Sequence, residues 1–198
     1  TNQPTNQPTN QQKTTTKMAT TSTTTEITNA TTSANDAYET MSYTKEYVLE
    51  RVCPNKTPEV AYQVALYGWR QDNFHKLGPK PKILNYGNPE TGVGFEIVQP
   101  VIGLHEKIIG HSQDKNNGTI GLYFAPLNPK WYTFPVKNYM THLTFTKTED
   151  GTGTKIRWHS KYTPLLCSGI LVHFFISTTL SAYTKYIINN DKTEKKIN

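Results

Sequence analysis

The sequence predicts an α+β domain: a curved antiparallel sheet of about six to seven strands wrapped around a long C-terminal helix, with short helices after the first strand. Three observations carry this. From Gly92 to Tyr162 apolar residues recur at every second position in five consecutive segments separated by turn signals. One strand-like segment and one helical pattern precede that meander. After it, Tyr162 to Thr184 contains no Lys, Arg, Asp or Glu, as in a helix buried nearly all round.

The elements follow in order. "MSYTKEYVLERV" at Met41–Val52 is rich in β-formers and is expected to be the first strand, ended by Pro54. "TPEVAYQVALYGW" reads as a helix with Thr57 as N-cap, Pro58 in the first turn and Glu59 beside it. Its apolar face is Val60, Ala61, Val64, Ala65 and Trp69. Asp72 to Tyr86 carries two prolines and is expected to be a helical turn and a loop. Strands are then expected over 92–99, 101–110, 118–125, 136–147 and 151–162, with "DKNNG" and "TEDGTG" as turns. "LLCSGILVHFFISTTLSAY" supplies the last helix, with Pro164 before it. It is long enough to span a bilayer, but Cys, His, Gly and hydroxyl residues dilute it.

Composition divides the chain into three parts. Residues 1–36, opening with the exact repeat "TNQPTNQP", are Thr/Asn/Gln-rich and lack aromatic residues. They are expected to be a disordered tail, because they cannot bury enough surface to offset the entropy of ordering. Met18 lies inside it as an alternative translation start. Residues 37–190 form the folded domain and 191–198 a short charged tail. The net charge of +6 and pI of about 9.2 come from scattered lysines and arginines, which fits a solvated surface and not a nucleic-acid partner. Cys53 and Cys167 form no CxxC or Cys/His cluster, so neither a disulfide scaffold nor a metal site is expected. With no secretory signal, the triplets at Asn29, Asn55 and Asn117 carry little weight, and a cytoplasmic location is expected.

The strand "GTGTKIRWHSKY" states the central question. Lys155, Arg157, His159 and Lys161 form an apparent wet face, while Ile156, Trp158, Ser160 and Tyr162 face the other way. A packed core would explain the second set, and so would a ligand cavity.

Three segments resemble the polyketide cyclase/dehydrase and lipid-transport family (SRPBCC), part of the Bet v 1/START-like superfamily. "GVGFE" at Gly92–Glu96 resembles its Gly-x-Gly strand entry. "LHEKI" at Leu104–Ile108 resembles its strand with Glu two residues before an aliphatic. "YMTHLTFTKTEDGTGTKIRWHSKYTP" resembles its strand–turn–strand with a Trp. The likeness spans Met41 to Asn189 and includes the helix with an acid just after Pro. Family members often carry an Arg after Gly-x-Gly, and here Ile97 stands near that place.

The resemblance implies a helix-grip with a hydrophobic cavity between sheet and helix. It also implies binding of lipids, sterols, polyketides or plant hormones, with cyclases and dehydratases as a minority. On such a fold Trp158, Ser160 and Tyr162 face inward, with Tyr139, Leu143 and Phe145 from the neighbouring strand and Phe95 and Ile108 from the entry strands. Ile170 and Phe174, with Ser177 and Ser181, would come from the helix as a lid, and His173 on the same helix would orient a ligand or a proton. Each aromatic has core packing as its alternative, and so has His173. Glu106 shares the side of Leu104 and Ile108. Turned inward it is an enclosed carboxylate suited to acid/base work, whereas a register shift of one residue exposes it. His75, His105, His111, His142 and His159 read as surface or loop residues.

No nucleophile motif, phosphate loop or nucleotide fingerprint is present. The expected function is binding of a small hydrophobic ligand by a monomer, with no cofactor and no metal. The alternative is a cyclase or dehydratase using Glu106 with a Tyr or His. Membrane contact stays open without a predicted span, and a membrane-anchored form of the module rests on residues 165–183 alone.

Overall fold

The computed structural model describes residues 33–71, 80–99 and 103–191. Residues 33–40 form helix α1. There follow β1 (Lys45–Pro54), α2 (Pro58–Arg70), β2 (Lys82–Tyr86), β3 (Phe95–Gln99), β4 (Leu104–Asp114), β5 (Thr119–Pro126), β6 (Val136–Lys147), β7 (Gly153–Pro164) and α3 (Gly169–Asn189). The strands make one antiparallel sheet in the order β1-β7-β6-β5-β4-β3-β2. Register shifts at Ile83/Asn85, Ile108/Gly110 and Val136/Asn138 bend three of its strands. The sheet closes partly around α3, and α2 packs across the same concave side.

Local chemistry sets the helix limits. The Thr57 hydroxyl accepts from the Val60 amide at 3.4 Å, and Pro58 occupies the first turn. Ala61, Val64, Ala65, Leu66 and Trp69 of α2 are buried, while Val60, expected with them, is exposed. Arg70 is buried too, and its guanidinium donates to the carbonyls of Asn88 and Pro89. It thereby fixes the turn that enters β3. Gly92 and Gly94 in that turn take φ of 66° and 86°, which explains the Gly-x-Gly signature. In α3 the buried residues Val172, Ile176, Leu180, Tyr183 and Ile187 form one stripe. Burying each such side chain contributes roughly 1.5–3 kcal/mol.

Several expectations are corrected. Residues 82–86, expected as loop, are an edge strand, because pairing with β3 decides a short segment whose prolines suggested otherwise. Pro164 closes β7, where it pairs with Val136, instead of opening the last helix. Leu166 then turns the chain at φ 50° and α3 begins at Gly169. The expected tail of residues 1–36 lies outside the described residues up to 32, and 33–36 are helical. At the other end, Asp191 pairs with Lys56 at 2.8 Å, and residues 192–198 lie outside the described residues.

The largest correction concerns the outer face of β7. Lys155 is exposed there, but Lys161 is only 6% exposed. Helix α1 lies over it and buries Ala34 and Tyr38. The Tyr38 hydroxyl donates to the His159 carbonyl at 2.9 Å, and the Lys161 ammonium donates to the Tyr38 carbonyl at 3.1 Å. That ammonium also sits 4.1 Å from the Tyr38 ring centroid. Tyr123 donates to the Asn35 side chain at 2.7 Å and stacks on His142 at 4.1 Å. His142 is thus no surface histidine. Burial, with Arg157, His159 and Lys161 nearby, pushes its pKa down to about 4. His75 falls outside the described residues.

Candidate ligand cavity

Strands β3 to β7 supply alternate side chains to the concave face, and the two helices roof them. Between them is a cavity of about 60 Å³. Its wall combines Phe95 and Ile97 of β3, Leu104, Glu106 and Ile108 of β4, and Phe124 at the end of β5. Tyr139 and Thr141 of β6 and Trp158 of β7 continue it, and Phe134 closes the side nearest the β5–β6 loop. Trp69 from α2 and Phe175, Ile176, Thr179, Leu180 and Tyr183 from α3 complete the roof.

Aromatic rings make this wall rigid. Trp69 lies 4.6 Å from Phe124 and 6.3 Å from both Trp158 and Tyr183, centroid to centroid. The Trp158 indole donates to Thr184 at 2.9 Å, and the Thr184 hydroxyl bonds back to the Leu180 carbonyl at 2.8 Å. The indole's polar edge is therefore satisfied inside α3, and its apolar faces remain for packing.

Two polar features interrupt the apolar wall. Glu106 turns inward with Leu104 and Ile108, as one of its two expected registers required. The Gln99 side-chain amide donates to its carboxylate at 3.3 Å. Burial raises the Glu106 pKa, and the Gln99 bond offsets only part of that. The second feature is a hydroxyl cluster. Thr141 bonds both Tyr139 and Ser160, the latter at 2.7 Å, and Tyr139 and Ser160 are 3.4 Å apart. Burial pushes the Tyr139 phenol up to about 12, so it remains a neutral donor at any ordinary pH. The site thus offers a carboxyl whose pKa burial has raised and a phenol within an aromatic enclosure.

No family model and no curated protein matches the chain. Among solved structures, XoxI from Bacillus cereus is 14% identical with a TM-score of 0.52, over 73% of this chain and 93% of that one. A protein from Nitrosospira multiformis is 13% identical with a TM-score of 0.52, over 76% and 98%. The chain shares the fold of these two proteins, a helix-grip in which a curved antiparallel sheet wraps a long C-terminal helix. At such low identity the likeness carries the fold and no activity.

Within this helix-grip, Phe95, Glu106, Ile108, Tyr139 and Trp158 line the cavity. Ser160 is fully buried just behind it, bonded to Thr141. Leu143 and Phe145 point inward but lie off the cavity, where Phe145 packs edge-on against Tyr62 of α2 at 5.9 Å. Tyr162 is buried with its hydroxyl 3.2 Å from Nδ1 of His173, whose ring meets Tyr47 edge-on at 5.2 Å. The expected lid is not where it was placed. Ile170 and Phe174 are exposed, and Ser177 caps the Phe174 carbonyl on the helix surface.

The face of α3 that does meet the cavity was legible from one residue. Lys185 must point to water, and steps of three or four back from it reach Ala182, Thr178, Phe174 and Leu171, all exposed. The opposite stripe, Ile176, Leu180 and Tyr183, then faces inward. Trp69, Phe124, Phe134 and Thr141 come from elements whose relative packing no periodicity reports. Among the described residues no group of three or more His, Cys, Asp or Glu could hold a metal ion. No described helix is long and apolar enough to cross a membrane, so α3 is not the span that residues 165–183 suggested.

Proposed function

We propose that the protein binds a small hydrophobic molecule carrying one polar group, with its apolar body among Trp69, Phe124, Trp158 and Tyr183 and its polar group at Glu106. The observation that supports this most is a carboxyl turned into a mainly apolar wall of aromatic and aliphatic side chains, where a folded core alone would have no use for it. The free space is room for a few waters and not for a bulky ring system. A larger guest would enter by displacing Phe175, the most exposed lining residue. In this proposal the protein acts as a monomer in the cytoplasm.

Native mass spectrometry of protein made in its own host is expected to show a co-purifying small molecule, and a fluorescent fatty-acid probe is expected to brighten on binding. A clean apo mass together with no probe uptake refutes the reading. A second reading, a cyclase or dehydratase, draws on the raised Glu106 carboxyl and the Tyr139 phenol as proton-handling groups. Glu106→Gln separates the two. It should leave probe uptake within a few-fold while abolishing any turnover, and turnover that survives excludes the catalytic role.

A further inference from the structure

The cavity does not account for a second apolar surface. On α3 and the turn before it, Leu166 is 96% exposed and Ile170 88%, with Leu171 and Phe174 beside them in the open. On the β5–β6 loop, Trp131 and Tyr132 are exposed and packed edge to face at 5.6 Å. These two segments are tied together. The Leu165 amide and the Ser168 hydroxyl both donate to the Pro135 carbonyl, at 2.8 and 3.1 Å, and Phe134 meets Phe175 at 5.6 Å. The surface also adjoins the cavity, because Phe134 and Phe175 belong to both. Such an assembly of exposed aromatic and aliphatic side chains marks an interaction site.

Charge identifies the occupant. Residues 126–137 carry Lys130 and Lys137 and no acid, and residues 162–184 carry no charged side chain at all. Both lysines are exposed, and Lys130 rests against the Tyr132 ring at 5.7 Å. A second copy meeting this face symmetrically would set lysines against lysines with no carboxylate between them. The chain's own ends do not fit either: residues 1–32 offer only Met18, Ile27, two Ala and two Pro as apolar side chains, and 192–198 only Ile197. An anionic bilayer meets every requirement. It accepts aliphatic side chains, holds Trp and Tyr at headgroup depth, and pairs with a lysine rim.

We propose that the Leu166–Phe174 face of α3 and the Trp131–Tyr132 loop tip dock the protein peripherally on an anionic lipid bilayer, setting the cavity edge at the membrane surface. This goes beyond ligand binding and stands without it.

The exposed Cys167 provides a reporter at the centre of the face, since Cys53 is buried. The full chain labelled there with an environment-sensitive fluorophore is mixed with vesicles of phosphatidylcholine, with and without phosphatidylserine, and unlabelled protein is floated with the same vesicles. The expected result is a blue shift and flotation with the phosphatidylserine vesicles, both diminished by salt. The pair Trp131→Ser and Leu171→Ser, at exposed positions outside the cavity, should weaken partitioning by about tenfold or more with an unchanged circular dichroism spectrum. Absence of flotation on both vesicle types overturns the proposal. So does equal binding to the uncharged vesicles, or a concentration-dependent dimer that Leu171→Ser dissolves. Fatty-acid probe uptake without vesicles is measured in parallel, so a protein that takes the probe but ignores vesicles fails here alone.

Discussion

Glu106 bonds to Gln99 and is otherwise enclosed by the mainly apolar cavity wall, and this sets the direction of its pH response. Its folded-state pKa lies above its unfolded value because burial disfavours the charged form. The native state therefore binds more protons between the two values, and stability falls as pH rises through them. Glu106→Gln should remove this dependence. Urea unfolding is expected to show the variant equal to the native protein below pH 4 and relatively more stable at pH 7. Trp158 presents a different case, since it is cavity wall and core at once. Trp158→Ala should cost about 3–5 kcal/mol and confound any ligand measurement. Trp158→Phe keeps most of the ring contact and loses the bond to Thr184, so it should cost only about 1–2 kcal/mol, while its probe affinity tests the wall.

Helix α1 shows most clearly what the sequence could and could not disclose. The alternation of β7 was plain, and it placed Ile156, Trp158, Ser160 and Tyr162 correctly on the dry side. The same alternation made Lys161 look solvated, because a pattern of two says which residues share a face and not what lies over that face. The cover came from eight helical residues at the end of a Thr/Asn/Gln-rich stretch, where only Tyr38 announces any packing. The phase of α3 failed for the converse reason. With apolar residues on every side, the buried stripe could be read only from distant Lys185. These errors carry a measurable consequence at α1. His142, packed against Tyr38, Tyr123 and Ser112 with Arg157 and Lys161 nearby, has a folded pKa depressed to about 4. The unfolded chain binds the extra proton first, so stability should fall as pH drops from about 6.5 towards 4, by roughly 3 kcal/mol. His142→Gln should flatten that limb of a Tm-against-pH curve. If the limb is unchanged, another group causes it.

At the scale of the whole molecule, the sheet order β1-β7-β6-β5-β4-β3-β2 puts the first two strands of the chain at opposite edges. The connection through α2 crosses the full width of the sheet, and the remaining strands fill in from the β2 side back towards β1. Leu49 has its partner in Trp158, and the roof that α2 begins is completed only when α3 follows. On a ribosome this means that β1 emerges with nothing to pair with until nearly the entire chain has been made. Long-range closure of this kind is slow, and the growing β2–β6 ladder waits with its apolar side covered only in part, by α2. The nascent protein is thus a natural client for holding chaperones, and its yield should depend on synthesis rate and temperature far more than its finished stability would suggest.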